Sequence, residues 1–308
     1  IVKEIKLPLT DEKDIASSIK YQISDFIPIT KNNIFYDYYI MEKGDDYSTI
    51  MLVGAVKGMI TDVIESLKNA GLITQAIDLN CFALYRVINH IYNLEKIKEK
   101  KDIKSFCAVN FGQEMSIIEI ITGNTLKHPR SISVSIKTFV DNLARKINKD
   151  TSACEEIVKK FDFNSILNKK FKESKKKTAN KKDDSTKKVK PEEKNRKIDN
   201  NDEENQINEV MKNTANQLIN EIKISIGHFM EENLKIKVDK ILLSGEEITN
   251  IGKYIEKEIN YRVELLNIAE NFSLDYIKKK PLFKNKDLNQ VANRLCIGIG
   301  MAIRGLQK

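Results

Sequence analysis

The chain has 308 residues, 41% of them hydrophobic and 31% charged, with a net charge of +8. That length supports a sizeable core in one large or two linked domains, and no apolar run reaches the ~18–20 residues of a membrane span. Nor does the charge mark a nucleic-acid-binding body: residues 169–197 hold 14 Lys/Arg against 5 Asp/Glu, which leaves the remainder one unit negative.

In chain order, "IVKEIKLPLT" reads as the tail of a strand already under way, so a preceding segment is expected. Thr10 is placed to cap a helix on which Ile15, Ile19, Ile23 and Phe26 share one face, and Pro28 marks its end. The β-rich runs Ile34–Ile40 and Ser48–Val56, joined through Gly44-Asp45-Asp46, predict an antiparallel hairpin. A helix stopped by Gly71, a strand over Ile73–Asp78 and a helix over Cys81–Tyr92 follow. After the charged linker "NLEKIKEKKDIK", a three-stranded meander is expected over Phe106–Phe111, Met115–Thr122 and Thr125–Ser131, then a helix over Ile136–Ile147. Ser152 to Glu155 has the capping-box pattern and opens a short helix.

Composition then changes. Residues 168–205 contain almost no apolar side chains and cannot offset the entropy of ordering, so a disordered lysine-rich loop is predicted there. With Phe171 as its one aromatic residue for stacking, residues 169–197 read as a solvated insertion rather than a specific nucleic-acid site. Order resumes in a long helix whose Ile207, Met211, Ala215, Leu218, Ile222, Ile226 and Phe229 form one core-facing stripe. "KILLSG", "ITNIGKYIEKEI" and "RVELLN" give strand, helix and strand, and a last helix offers Gly298, Gly300 and Ala302 as a small-residue face. Cys81, Cys107, Cys154 and Cys296, without CxxC spacing, read as buried reduced thiols, and three scattered histidines form no metal cluster.

Three places carry chemistry that suits a nucleotide. The turn "NFGQE" (Asn110, Phe111, Gly112, Gln113, Glu114) joins two strands and can aim backbone N–H groups at a phosphate. "ILLSGEE" ends a strand at Ser244-Gly245, with Glu246 leading towards a helix, where an anion or nucleotide can lie across the helix start. The run "ITQAIDLN" places Asp78 and Asn80 before a further helix.

In their order, these segments resemble the second half of an actin-like (ribonuclease H-like) ATPase. The series "QISDFIPI…YDYYI…LKNAGL…AIDLN", with "CAVNFGQEMSIIEI" and "LLSGEEITNIGKYIEKEINYRVELLN", resembles the type IV pilus assembly protein PilM family over nearly the whole chain, the lysine-rich insertion excepted. The resemblance implies an α/β actin-like fold in which an α-β-β-α-β unit, about residues 9–72, replaces one actin subdomain, as in FtsA. Residues 1–100 would then be the remainder of the first half, with a crossover helix at about 81–92 and the first strands missing. Residues 101–308 would be the second half, with a helical subdomain at about 148–236 interrupted by the loop at 168–205.

The resemblance further implies a cytoplasmic protein on the inner face of the cytoplasmic membrane that binds the N-terminal tail of the bitopic protein PilN, contacts other platform and motor proteins and, in many members, binds ATP with Mg²⁺. A tail-binding groove walled by the strand of Val53 and by the segment around Asp78 belongs to that expectation. Against it stand the loop residues. Asn110 replaces the usual aspartate and lacks the charge that attracts Mg²⁺, Glu114 sets a carboxylate where phosphate oxygens would lie, and Glu246 and Glu247 stand where glycines are usual. Asn80, at the usual glutamate position, is a poor base for activating water. The first phosphate loop would lie upstream of Ile1. The expectation is a scaffold with a degenerate nucleotide site; a working actin-like ATPase and an FtsA-like membrane tether are the alternatives.

Overall fold

A computed structural model describes residues 1–8, 11–94, 104–168, 199–234, 236–273, 279–280 and 288–306. Chain contacts divide it into two compact units, Ile1–Leu79 and Asn80–Lys308.

Unit 1 is built on β1 (Val2–Leu7), β2 (Ile34–Lys43) and β3 (Ser48–Val56), in the order β1-β3-β2 and antiparallel throughout. The hairpin turns where the Gly44-Asp45-Asp46 sequence requires it. Helix α1 (Glu12–Phe26) lays Ile15, Ile19 and Ile23, all fully buried, against Ile5, Ile50 and Leu52 of the sheet. Its cap is Asp11, whose carboxylate accepts from the Lys13 N–H at 2.8 Å; Thr10 lies outside the described residues. Helix α2 (Lys57–Asn69) ends before Gly71, which takes φ +76°, yet none of its residues is buried: Met59 is 70% and Val63 55% exposed. The strand expected over Ile73–Asp78 does not form. A strand exists through its ladder, and no β-ladder forms on this stretch among the described residues.

Unit 2 holds a five-stranded sheet in the order β6-β5-β4-β7-β8, formed by β4 (Ser105–Phe111), β5 (Ser116–Thr122), β6 (Thr125–Ile132), β7 (Lys240–Gly245) and β8 (Val263–Leu265). The meander β4-β5-β6 is antiparallel, while β7 runs parallel to both β4 and β8. One face carries the main core: Cys107, Val109, Phe111, Ile118, Ile120, Ile241 and Leu243 pack with α4 (Ile136–Ile147), α5 (Thr151–Lys160), α6 (Asp199–Glu232) and α7 (Ile251–Ile259). The predicted stripe of α6 is this core, with Met211, Ala215, Leu218, Ile222, Ile226 and Phe229 buried.

Strand alternation sends Phe106, Ala108, Asn110 and Glu119 to the opposite face. There Tyr92, the last residue of α3 (Asn80–Tyr92), packs its ring against Phe106 in a tilted pair, centroids 4.7 Å apart. A one-turn helix, Ile268–Asn271, and α8 (Leu288–Arg294) lead to the closing helix α9 (Cys296–Leu306). Helix α3 lies within unit 2. Of the small residues of α9, Gly300 makes the close approach: a Cβ there would stand 2.0 Å from the Ala83 carbonyl oxygen, whereas Gly298 has open space.

Two local expectations are corrected. Ser152 lies inside α5, which Asp150 caps by accepting from the Ala153 N–H at 2.9 Å; the capping box of the structure is Ser135–Thr138, at the start of α4. Residues 199–205, placed by composition in the loop, belong to α6, while residues 169–198 lie outside the described residues. The four cysteines are buried and none is in a disulfide.

Candidate functional site

The two glycine turns meet where the parallel strands β4 and β7 end together. Their register sets Asn110 beside Ser244 and Phe111 beside Gly245. Asn110 and Ser244 are buried, at 7% and 4% exposure, and the Asn110 amide donates to Ser244 Oγ at 3.0 Å. The Glu246 N–H then donates to the Phe111 carbonyl at 2.6 Å. Gly245 makes that return possible. It sits at φ +90°, and a Cβ there would stand 2.3 Å from the Phe111 oxygen.

The first turn is closed in the same manner. The Gly112 N–H donates to Ser116 Oγ at 3.1 Å, and that hydroxyl donates to the Val134 carbonyl at 2.6 Å. The carbonyls of Gly112 and Gln113 accept from the Ile136 and Lys137 N–H groups, each at 3.0 Å. Those are the first N–H groups of α4, the donors that a helix start would otherwise offer an anion. Gln113 and Glu114 project from the turn into solvent.

Beside Gly245 the fold leaves a cavity of about 20 Å³, walled by Phe111, Leu218, Ile251, Ile255, Leu265 and Asn293. That is room for a water molecule, whereas a cofactor-sized ligand needs several hundred Å³. Glu246 at its rim is paired with Arg294 of α8, Nε to carboxylate 2.9 Å.

Behind the clasp, towards α9, lies Cys296. Burial pushes its thiol up to about 12, against a hydrogen bond with Ser244 that pulls it down. Cys107 is raised too, by burial first and by Glu119 second, so neither thiol is a nucleophile at neutral pH. Glu119 itself is fully buried, burial holds its carboxyl far above the usual range, and neither of its oxygens has a hydrogen-bond partner among the described residues.

Of the residues singled out from sequence, Asn110, Gly112, Ser244, Gly245 and Glu246 therefore converge. Asn80 opens α3 as an exposed residue. Val53, half-buried on β3, and Asp78, whose Oδ1 accepts from the Leu79 N–H at 2.8 Å, belong to unit 1. Arg294, the burial of Glu119 and the Cys296–Ser244 contact were not foreseen: Arg294 meets Glu246 across 48 residues and Cys296 meets Ser244 across 52, and no local pattern announces such pairs.

A chain of a PilM–PilN type IV pilus biogenesis complex aligns over 100% of this chain and 77% of its own length, with TM-score 0.73 and 16% identity. MreB5 of Spiroplasma citri bound to AMPPNP aligns over 82% of this chain and 66% of its own, with TM-score 0.46 and 12% identity. The ethanolamine utilization protein EutJ from Carboxydothermus hydrogenoformans gives TM-score 0.46 at 11% identity, over 94% and 72% of the two chains. No curated protein matches by sequence. The profile of the family described as type IV pilus assembly protein PilM matches residues 1–173 and 184–306. With that match over almost its entire length, and with the PilM fold in its structure, the chain belongs to the type IV pilus assembly protein PilM family.

Proposed function

We propose that this chain is an actin-like scaffold of the pilus assembly platform. It works on the cytoplasmic face of the inner membrane, holds the N-terminal tail of a PilN-like bitopic protein, and carries a degenerate nucleotide site. The reading draws its partner from the family and its missing chemistry from the clasp, whose closure by the Asn110–Ser244 bond is the observation that carries it. No described helix is long and apolar enough to cross a membrane, so attachment is assigned to the partner's tail and not to a span in the described residues.

Mg-ATP is a poor fit to the residues present. At the turns, the Gly112 N–H is taken by Ser116 and the Glu246 N–H by the Phe111 carbonyl, and the carbonyls of Gly112 and Gln113 occupy the first N–H groups of α4. Asn110 brings an amide where a metal-directing carboxylate is needed. The fold persists as a frame without the ligand, since fold and site are separable.

Titration calorimetry of the protein with a synthetic PilN-like tail peptide tests the scaffold half of the proposal, and saturable binding at micromolar affinity or better is the expected result. Absence of heat at high peptide concentration would remove that half. The other half is tested by thermal melting with Mg-ATP. A ligand at ~100 times its dissociation constant adds about 2.7 kcal/mol and raises the midpoint by several degrees; here no rise is expected. A clear rise would mean that the clasp opens for nucleotide, and the site would no longer be degenerate.

A further inference from the structure

Four strands end the two sheets: β1 and β2 in unit 1, β6 and β8 in unit 2. An edge strand presents unpaired backbone groups, and proteins guard such edges with brevity, charge, proline or bulges. Strand β8 is three residues long. Strand β6 contains Pro129, a left-handed His128 at φ 46°, and a register shift opposite Ile118/Ile120. Strand β1 carries Lys3, Glu4 and Lys6 among its six residues. Strand β2 is different. It runs for ten residues and shows aromatic side chains to solvent on both faces, with Phe35 47%, Tyr36 38% and Tyr39 66% exposed.

Two guards are visible on it. The ladder to β3 shifts between Ile40 and Glu42, and the Asp37 carboxylate accepts from the N–H of Tyr38 at 2.8 Å. An N–H engaged in the β3 ladder would be out of that carboxylate's reach, so the Tyr38 N–H points away from β3 and towards the open edge.

We infer that β2 pairs with β2 of a second copy of this chain, antiparallel about a two-fold axis at Tyr38, so that two three-stranded sheets join into one of six strands. The sequence of β2 is self-complementary in this register. A two-fold axis normal to the sheet keeps the faces matched, so paired positions share a face. Centring on Tyr38 sets Tyr36 against Ile40 on one face and Asp37 against Tyr39 on the other, and the regular pairing stops at the register shift after Ile40. Aromatic–aliphatic pairs of this kind stabilise neighbouring strands, and no like charges face each other. Centring on Asp37 would set two carboxylates opposite, which excludes that neighbouring register. In the Tyr38 register the Asp37 carboxylate must release the Tyr38 N–H to the new ladder, which makes Asp37 the brake on pairing.

Sedimentation velocity of the 308-residue chain over a wide concentration series tests this, with two variants that push in opposite directions. Tyr36→Pro removes an outward donor at a position where an edge strand tolerates proline, and should weaken dimerisation at least about tenfold with unchanged circular dichroism. Asp37→Ala releases the brake and should tighten it several-fold. A photo-crosslinker at Tyr39 should join β2 to β2. A chain that stays monomeric at every concentration would overturn the inference. So would a dimer that ignores both variants, or one whose crosslinks fall on the exposed Met59 and Val63 of α2.

Discussion

Replacing Glu119 by leucine is expected to stabilise the protein by about 1–3 kcal/mol at neutral pH, which for a domain of this size is a rise of a few degrees in melting temperature. Glu119 lies in the middle of β5, fully buried, with no hydrogen-bond partner for either oxygen among the described residues. Burial holds its carboxyl well above the ordinary value of 4.5, so folding favours the protonated form. The direction with pH follows from linkage. A group whose folded value is raised contributes full stability below 4.5, and that contribution is lost as pH rises through the folded value. Urea denaturation between about pH 5 and about pH 8 should therefore show stability falling with pH in the wild type and a flatter profile in Glu119→Leu. Glu119→Gln separates the two components: it should flatten the profile but keep an unsatisfied polar group, so it recovers less. Parallel profiles for all three proteins would count against a buried protonated carboxyl.

Gly245→Ala should destabilise the protein by about 3 kcal/mol or more, with or without nucleotide. The backbone there stands at φ +90°, and the new Cβ would be 2.3 Å from the carbonyl oxygen of Phe111, which belongs to a buried strand and cannot swing aside. In many nucleotide-binding turns a glycine is kept so that a ligand can come close. Here the close neighbour is the protein's own β4, and a stability assay in plain buffer is the measurement that separates the two reasons. A variant that melts with the wild type would show that the clasp relaxes at little cost, and the closed geometry would lose its force as an argument about ligands.

How far the sequence foretold this arrangement depends on how local each signal is. The stripe of α6 from Ile207 to Phe229 and the hairpin around Gly44 were legible because helix period and turn chemistry act over a few residues. Caps were harder. Thr10 and Asp11, or Asp150 and Ser152, are all capping types within two residues of one another, and only the geometry shows which side chain reaches an N–H. The strand expected at Ile73–Asp78 failed because β structure needs a partner, which a single segment cannot specify. The glycine turns were found from their residue types, and Asn110, Glu114 and Glu246 already stood out as misfits to a nucleotide. That Asn110 bonds Ser244, and that Glu246 pairs with Arg294, could not be read, since each joins segments far apart in the chain.

The parallel pairing of β4 with β7 also governs how the protein is made. The Asn110 amide waits for a hydroxyl that is synthesised 134 residues later. On the ribosome, the β4-β5-β6 meander can close within moments of its emergence, but one side of β4 stays bare until residues 240–245 have left the exit tunnel. The length of the excursion matters little to the equilibrium, because each doubling of a flexible loop adds only about 0.6 kcal/mol of closure entropy. Its effect is on timing. A chain broken off before β7 would carry an apolar strand with a naked edge, and quality control in the cell would meet it as a product to be destroyed.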